Sequence, residues 1–223
     1  MPGRVTLPRS IFSCRTLVSL HLKGLKVNDI SHGVVDFPLL KTLHLSSVLF
    51  ERFEYLVEIL SGCPILEELQ AEDLSVDNVE WVFIQENSVI VKKFISLLPN
   101  LIRVSITKSP SYLMNLVTLL CTEAQILRAE LDVENEEEVV DNWVDPTTIP
   151  KCLSTQLKTC LLKGYKYTDC ELQFAKYIMQ NSKVLKTMSI KSTSSVDTNA
   201  KHQILKKLAS CTRASSTCKL LFD

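Results

Sequence analysis

The sequence predicts an α/β fold in which short parallel strands lie side by side and helices or loops return the chain between them. A Leu-x-x-Leu-x-Leu pattern recurs in seven near-copies, the copies begin 23 to 35 residues apart, and helix-period apolar stripes lie between several of them. One copy cannot bury its apolar side chains alone, so neighbouring copies must stack. We therefore expect an irregular leucine-rich-repeat solenoid, a curved parallel sheet with helices or loops on its convex side.

Each copy is interpreted as a strand because apolar and polar residues alternate at its end, as one buried face requires. We assign the first, fourth and sixth residue of each copy to the core. The copies are LVSLHL from Leu17, LKTLHL from Leu40, LEELQA from Leu66, LIRVSI from Leu101, ILRAEL from Ile126, LKTCLL from Leu157 and LKTMSI from Leu185.

The segments between the copies predict helices at most steps. One apolar stripe comprises Phe53, Leu56, Val57 and Leu60. We expect Gly62 to end that helix in a left-handed conformation. Further helices are predicted over about 88–98 and 110–120, whereas 28–38 is too broken by histidine and glycine to be helical.

Residues 134–150 change in character, with an acidic run and two prolines, and are interpreted as a connector. The predicted organisation is a repeat block over 1–133, this connector, and an α/β subdomain over 151–223. The run Glu136-Glu137-Glu138 is either a solvated loop or a contact for the basic C-terminal half. After the connector, Thr168 and Glu171 form a capping-box pattern that begins a helix. Another helix over about 199–210 and a last apolar strand follow.

Composition and motifs argue against most other functional classes. Residues 1–150 carry a net charge of −9 and residues 151–223 a net charge of +9. Aromatic residues do not alternate with the lysines of the basic half, so we expect no nucleic-acid partner. No catalytic motif is found, so we expect no enzyme activity and no cofactor. The eight cysteines form no C-x-x-C pair and the four histidines no H-x₃₋₅-H pair, so no metal site is predicted.

Cys63 lies three residues before Leu66, as Cys14 lies three before Leu17. This repetition favours a small buried slot over a reactive thiol. The sequence has neither a long apolar run nor an apolar leader, so we expect a cytoplasmic or nuclear protein without membrane contact. We expect a monomer.

The C-terminal part resembles the FBD domain of plant F-box proteins with leucine-rich repeats, and LPRSIFSCRTLVSLHLKGL, FPLLKTLHLSSVLF and LSGCPILEEL resemble their repeat block. The features that carry the FBD resemblance are Trp143, Pro146, Pro150, Cys152, Leu153, Gly164, Glu171, Leu172, Tyr177, Asn181, Val184, Leu185, Lys186, Arg213, Ala214, Ser215, Ser216, Cys218 and Phe222. The resemblance implies the substrate-recognition part of an SCF-type ubiquitin ligase, closed by an FBD-like α/β subdomain.

In that family the F-box binds a Skp-type adaptor and the repeats hold the target protein. Nothing before Leu17 resembles an F-box, so a Skp-type adaptor and a cullin are expected as partners only if an F-box lies upstream. The alternative is a non-ligase scaffold or decoy that binds the same target without adaptor contact.

The repeat register also predicts a polar surface, because residues that alternate with the core positions face outward. Such a surface is either only a solvated face or a place where a partner binds, as solenoids commonly use it. The candidates on the concave face are Ser19, His21, Lys23, Thr42, His44, Glu68, Gln70, Glu72, Arg103, Ser105, Arg128, Glu130 and Asp132. Their carboxylates predict an acidic stretch and hence a target protein with basic patches. His21 and His44 occupy equivalent sites and are expected to be neighbours. A two-histidine pair could tune binding with pH or hold a metal, but no third ligand accompanies it, so no metal is predicted there.

Overall fold

The computed structural model describes residues 5–6, 9–28, 30, 34–76, 98, 100–107, 124–131, 143, 145, 149–192 and 198–222. The contacts divide the chain into two compact units, Met1–Val104 and Ser105–Asp223. Several predictions fall outside the described residues: the helices over 88–98 and 110–120, the acidic run Glu136-Glu137-Glu138, Cys121 and Asp132. None of the described helices is long and apolar enough to cross a membrane.

In the first unit, the predicted strands form and pair in parallel. These are β2 (Ser19–Lys23), β4 (Thr42–Ser46) and β6 (Glu68–Glu72), and β8 (Arg103–Thr107) begins at the end of this unit. Ser19 pairs with Thr42 and Thr42 with Glu68, so the strands are in register. Parallel strands need crossovers, and the one after β4 contains helix α1 (Phe53–Ser61). The described part of 28–38 contains no helix, as predicted.

A second, smaller parallel sheet accompanies the first and was not predicted. Its strands are β1 (Val5–Thr6), β3 (Leu25–Val27), β5 (Leu49–Phe50) and β7 (Ser75–Val76). The residue that directly follows the longer strand of each of these three repeats has a positive φ, 66° at Gly24, 52° at Ser47 and 46° at Asp73. A left-handed residue turns the chain sharply, so each repeat forms two short strands around one corner. A 3₁₀ helix, Arg9–Ser13, precedes β2.

The second unit repeats the parallel arrangement. Its strands are β9 (Ile126–Glu130), β10 (Thr159–Tyr165), β11 (Thr187–Ser192) and β12 (Lys219–Phe222), in that spatial order, and its described helices are α2 (Lys151–Thr155), α3 (Asp169–Asn181) and α4 (Thr198–Ala209). Gly164 also has a positive φ, 68°, and a Cβ there would lie 2.6 Å from the Leu131 carbonyl oxygen.

Helix α3 begins with the predicted capping box. The Thr168 hydroxyl accepts from the Glu171 N–H, and the Glu171 carboxylate accepts from the Thr168 N–H at 3.0 Å and from the Lys166 N–H at 3.0 Å. Glu171 is 1% exposed. Burial raises the pKa of Glu171, and these backbone N–H groups oppose that shift. The buried face of α3 includes Leu172, Ala175, Ile178 and Met179.

The core lies beneath alternate strand residues, as the repeat predicts. Leu43 and Leu45 of β4 are 0% exposed, and the anchors Leu40, Leu66 and Leu101 are 0% exposed. The anchor of the first copy, Leu17, is only half-buried, so its assignment to the core is wrong. In the fifth copy the predicted register is wrong. Ile126 pairs with Thr159 on the outward face and is half-buried, and Leu127 fills the core position instead. Ala124, two residues before Ile126, occupies the anchor site with 0% exposure.

Two local predictions also need correction. Val57 of α1 is only half-buried, and Ile59 replaces it on the buried face. Gly62 does not adopt a left-handed conformation, because its φ is −75° and its ψ is −1°. Glycine is needed at position 62 because another segment of the chain lies close to it. A Cβ at Gly62 would lie 2.7 Å from the Val35 carbonyl oxygen, and the Gly62 carbonyl accepts from the Phe37 N–H at 2.8 Å.

Cys63 is structural, as predicted. It is 0% exposed, its Sγ donates to the Ile59 carbonyl at 3.1 Å, and burial raises its pKa to about 12. The slot it fills is apolar but not always small, because Phe37 occupies the matching place before Leu40 and is 0% exposed. Cys14, before the first strand of the larger sheet, is only half-buried.

Replacement of Gly62 by alanine tests the close approach. We expect Gly62→Ala to lower the free energy of unfolding by about 1–3 kcal/mol, because the added methyl group overpacks against the side chain and carbonyl of Val35. Ser61→Ala is the matched control, since Ser61 is exposed and ends the same helix, and we expect a change within about 0.5 kcal/mol. Chemical denaturation measures both. An unchanged stability for Gly62→Ala would contradict the close-contact explanation.

Candidate functional site

The predicted polar surface is present in the first unit as three rows of outward side chains. The rows are Ser19, Thr42 and Glu68; His21, His44 and Gln70; and Lys23, Ser46 and Glu72. We call these residues, together with Arg103, the polar face. Each row crosses β2, β4 and β6 in register, so its members are separated by about 4.8 Å along the sheet. The β2 members are exposed and the others are half-buried.

Glu68 belongs to an ion pair at one end of the polar face. Its carboxylate accepts from Arg103 Nε at 3.0 Å, and both side chains are partly exposed. Beside this pair, Lys41 Nζ lies 3.0 Å from Glu67. The charge that a partner would meet at Glu68 is therefore smaller than the sequence predicts, since a neighbouring strand supplies the counter-charge.

Glu72 is held by hydrogen bonds at the other end of the face. Ser46 Oγ donates to one carboxylate oxygen at 3.2 Å, and the Gln70 side-chain amide donates to the other. Backbone bonds hold the same edge, because the Gly24 N–H donates to the Ser46 carbonyl and the Ser47 N–H to the Glu72 carbonyl, both at 2.9 Å. The corner residues thus fix the positions of the third row.

His21 and His44 are neighbours in the central row, as predicted. Their ring centroids are 4.1 Å apart with an interplanar angle of 39°. His21 Nε2 lies 3.2 Å from Ser19 Oγ, whereas His44 Nε2 is buried and has no hydrogen-bond partner among the described residues. Burial lowers the pKa of His44, the nearby His21 lowers it further, and Glu68 and Glu72 oppose the shift. Neutral imidazoles can stack in this way.

A metal at this pair would need further protein ligands. In the part of the chain that the structure describes, no group of three or more His, Cys, Asp or Glu side chains is placed to hold a metal ion. The pair is therefore better described as a stacked, titratable element of the polar face.

The remaining predicted site residues lie in the second unit or outside the described part. Ser105 is half-buried in β8, and Arg128 and Glu130 are exposed in β9. Lys163 Nζ lies 3.8 Å from the Glu130 carboxylate. The predicted acidic stretch thus includes two carboxylates, Glu68 and Glu130, that each face a cation on the neighbouring strand.

Outward residues that the prediction missed are Ile126, Lys219 and Leu221. Ile126 was missed because its hydrophobicity suited the anchor position. Lys219 and Leu221 belong to β12, whose register with Thr187 and Ser189 places them on the outward face. The sequence carried little signal for them, because Lys219 is followed by three apolar residues in a row, Leu220, Leu221 and Phe222.

The His44 environment predicts a pH dependence of stability. Its pKa lies below the ordinary value of 6.5, so protonation favours the unfolded chain. The stabilising contribution is complete above pH ~6.5 and is lost as the pH falls through the lowered pKa. We expect the thermal midpoint to fall less between pH 8 and pH 5.5 in His44→Gln than in the wild type. His202→Gln, at an exposed histidine, is the control. Identical profiles for all three proteins would exclude this role for His44.

Comparison with known proteins places these features in a family. A family model described as "FBD-associated F-box protein At5g56370, LRR repeats" matches residues 1–125, and the FBD model matches residues 145–190. Similar relatives from Arabidopsis thaliana include "Probable FBD-associated F-box protein At1g32375", 25% identical over 98% of this chain and 72% of the relative. "Putative FBD-associated F-box protein At5g56440" is 27% identical over 99% of this chain and 73% of the relative.

The FBD-associated F-box protein At5g56370 itself is 48% identical to this chain over 75 residues, which are 33% of this chain and 18% of that protein. No solved structure matches the chain. The repeat model alone spans more than half of the 223 residues. This chain belongs to the family of FBD-associated F-box proteins with leucine-rich repeats.

Proposed function

We propose that this protein is a recognition module, built as a leucine-rich-repeat solenoid, and that its polar face binds a target protein. The observation that supports this most is the set of in-register polar rows on β2, β4 and β6. Ion pairing and hydrogen bonding hold Glu68 and Glu72 in place, so less side-chain entropy is lost when a partner binds. Exposed His21 and Lys23 beside them offer groups that a partner can contact.

The proposal extends to the substrate-recognition part of an SCF-type ubiquitin ligase. Several relatives are named F-box proteins, which is the basis for proposing a Skp-type adaptor as a partner. We propose binding and not catalysis as the activity. In support, burial raises the pKa of the Cys63 and Cys160 thiols to about 12, which makes them poor nucleophiles. We place the protein in the cytoplasm or nucleus, where reduced buried cysteines are stable.

A charge swap on the polar face tests target binding. Lys23→Glu combined with Glu72→Lys keeps the net charge but reverses the polarity of one row. We expect recovery of specific targets in quantitative affinity purification from plant extract to fall about tenfold or more, because mismatched charges at an interface repel. Glu58→Lys, on the exposed side of α1, is the control and should recover the same target proteins as the wild type. If the swapped protein retains every target, the polar face is not the binding surface.

The ligase connection has its own test. If an F-box lies upstream of this sequence, we expect the protein expressed in plant cells to co-purify with a Skp-type adaptor and a cullin. The charge swap should leave that association unchanged, because the adaptor binds the F-box. Immunoprecipitation followed by quantitative mass spectrometry measures both. Targets recovered without any adaptor would instead favour the non-ligase scaffold or decoy.

A further inference from the structure

The outward face of the second unit differs in chemistry from the polar face. We call its key residues the basic face: Ile126, Arg128, Leu161, Lys163, Lys219 and Leu221. In register, Leu161 lies between Arg128 and Ser189, and Ser189 pairs with Leu221. This central row crosses four parallel strands and spans about 14 Å, three strand separations.

The central row of the basic face is partly apolar, because Leu161 and Leu221 lie on either side of Ser189. Leu221 is 48% exposed, and Leu161 and Ile126 are half-buried. The equivalent central row of the polar face contains His21, His44 and Gln70 and no aliphatic side chain. Two outward leucines in one row leave apolar area in contact with water, and covering it is favourable by roughly 25 cal/mol per Å².

Cations surround these two leucines. Arg128, Lys163 and Lys219 are all exposed. Among the described outward residues of these strands, Glu130 alone carries a carboxylate. Lys163 Nζ lies 3.8 Å from that carboxylate. Lys158 and Lys186 add exposed positive charge where β10 and β11 begin. The field at the basic face therefore favours an anionic partner.

We infer that the basic face binds an acidic protein segment that carries aliphatic side chains. Carboxylates of that segment would pair with Arg128, Lys163 and Lys219 while its aliphatic groups cover Leu161 and Leu221. A nucleic acid fits less well, because the described outward residues of these strands include no aromatic side chain on which a base could stack. This surface lies on the second unit, so the inference does not depend on the proposed role of the polar face.

Fluorescence polarisation of the full chain tests the inference with a defined probe, a labelled twelve-residue peptide in which Glu and Leu alternate. We expect saturable binding that weakens as salt is raised. Matched probes replace every Glu by Lys or every Leu by Ser, and both should bind about tenfold more weakly or not at all. A single-stranded oligothymidine probe provides the polyanion comparison.

Variants assign the binding to this surface. The double variant with Arg128→Glu and Lys219→Glu should bind the Glu-Leu probe about tenfold more weakly than the wild type, and Leu221→Ser about fivefold more weakly. Lys183→Glu with Lys206→Glu is the control, since both lysines are exposed and lie off these strands, and it should bind as the wild type. Circular dichroism and thermal unfolding establish that each variant is folded.

Several outcomes would overturn the inference. These are no saturable binding of the Glu-Leu probe, equal loss in the control variant, or tighter binding of oligothymidine than of the peptide. Concentration-dependent dimerisation that Leu221→Ser abolishes would identify a second copy of the chain as the occupant. Tighter probe binding after Glu136, Glu137 and Glu138 are all replaced by Gln would instead support the inference, because it would identify the chain's own acidic run as a segment that competes with the probe.

Discussion

The burial of alternate side chains beneath short parallel strands is the constraint on which the rest of the structure depends. A strand that buries Leu43 and Leu45 completely must present Thr42, His44 and Ser46 on its other face. Because neighbouring strands keep the same register, these outward residues align into rows. A slip by one residue would exchange the core and the surface, so burial of the leucines also specifies the chemistry that a partner meets.

Backbone hydrogen bonds at both ends of the strands maintain this register. At the entry, the N–H groups of two successive residues share the carbonyl of the residue just before the preceding strand, as Lys41 and Thr42 share that of Val18. At the exit, left-handed residues such as Gly24 and Ser47 turn the chain into the smaller sheet and donate to the next strand. The second unit uses the same entry bonds, since Lys158 and Thr159 share the Gln125 carbonyl.

The sequence predicts this framework well because its period is strong. Alternation around Leu20, Leu43 and Leu69 identifies both the core and the outward face without knowledge of any contact. The smaller sheet was not predicted because its strands contain only two or three residues, too few to show alternation. The types of residue at the corners carried a weak signal, since glycine and aspartate tolerate a positive φ better than most residues.

Other features depend on contacts that a sequence pattern does not contain. Gly62 is required by the position of the Val35 carbonyl, far away in sequence, and not by its own conformation. The counter-charge of Glu68 comes from Arg103 on another strand, so composition alone overstates the acidity of the polar face. Ile126 was misassigned because hydrophobicity alone does not separate a core position from an outward, half-buried one.

A cysteine-labelling scan along β4 tests the central claim most directly. Residues 42 to 46 are replaced one at a time by cysteine, and the rate of alkylation of each new thiol is measured by peptide mass spectrometry under native conditions. The structure predicts that the rates alternate, fast at positions 42, 44 and 46 and slow at 43 and 45, because the side-chain period of a strand is two. Uniform rates, or a helical period, would contradict the division of each repeat into a buried core row and an outward polar row.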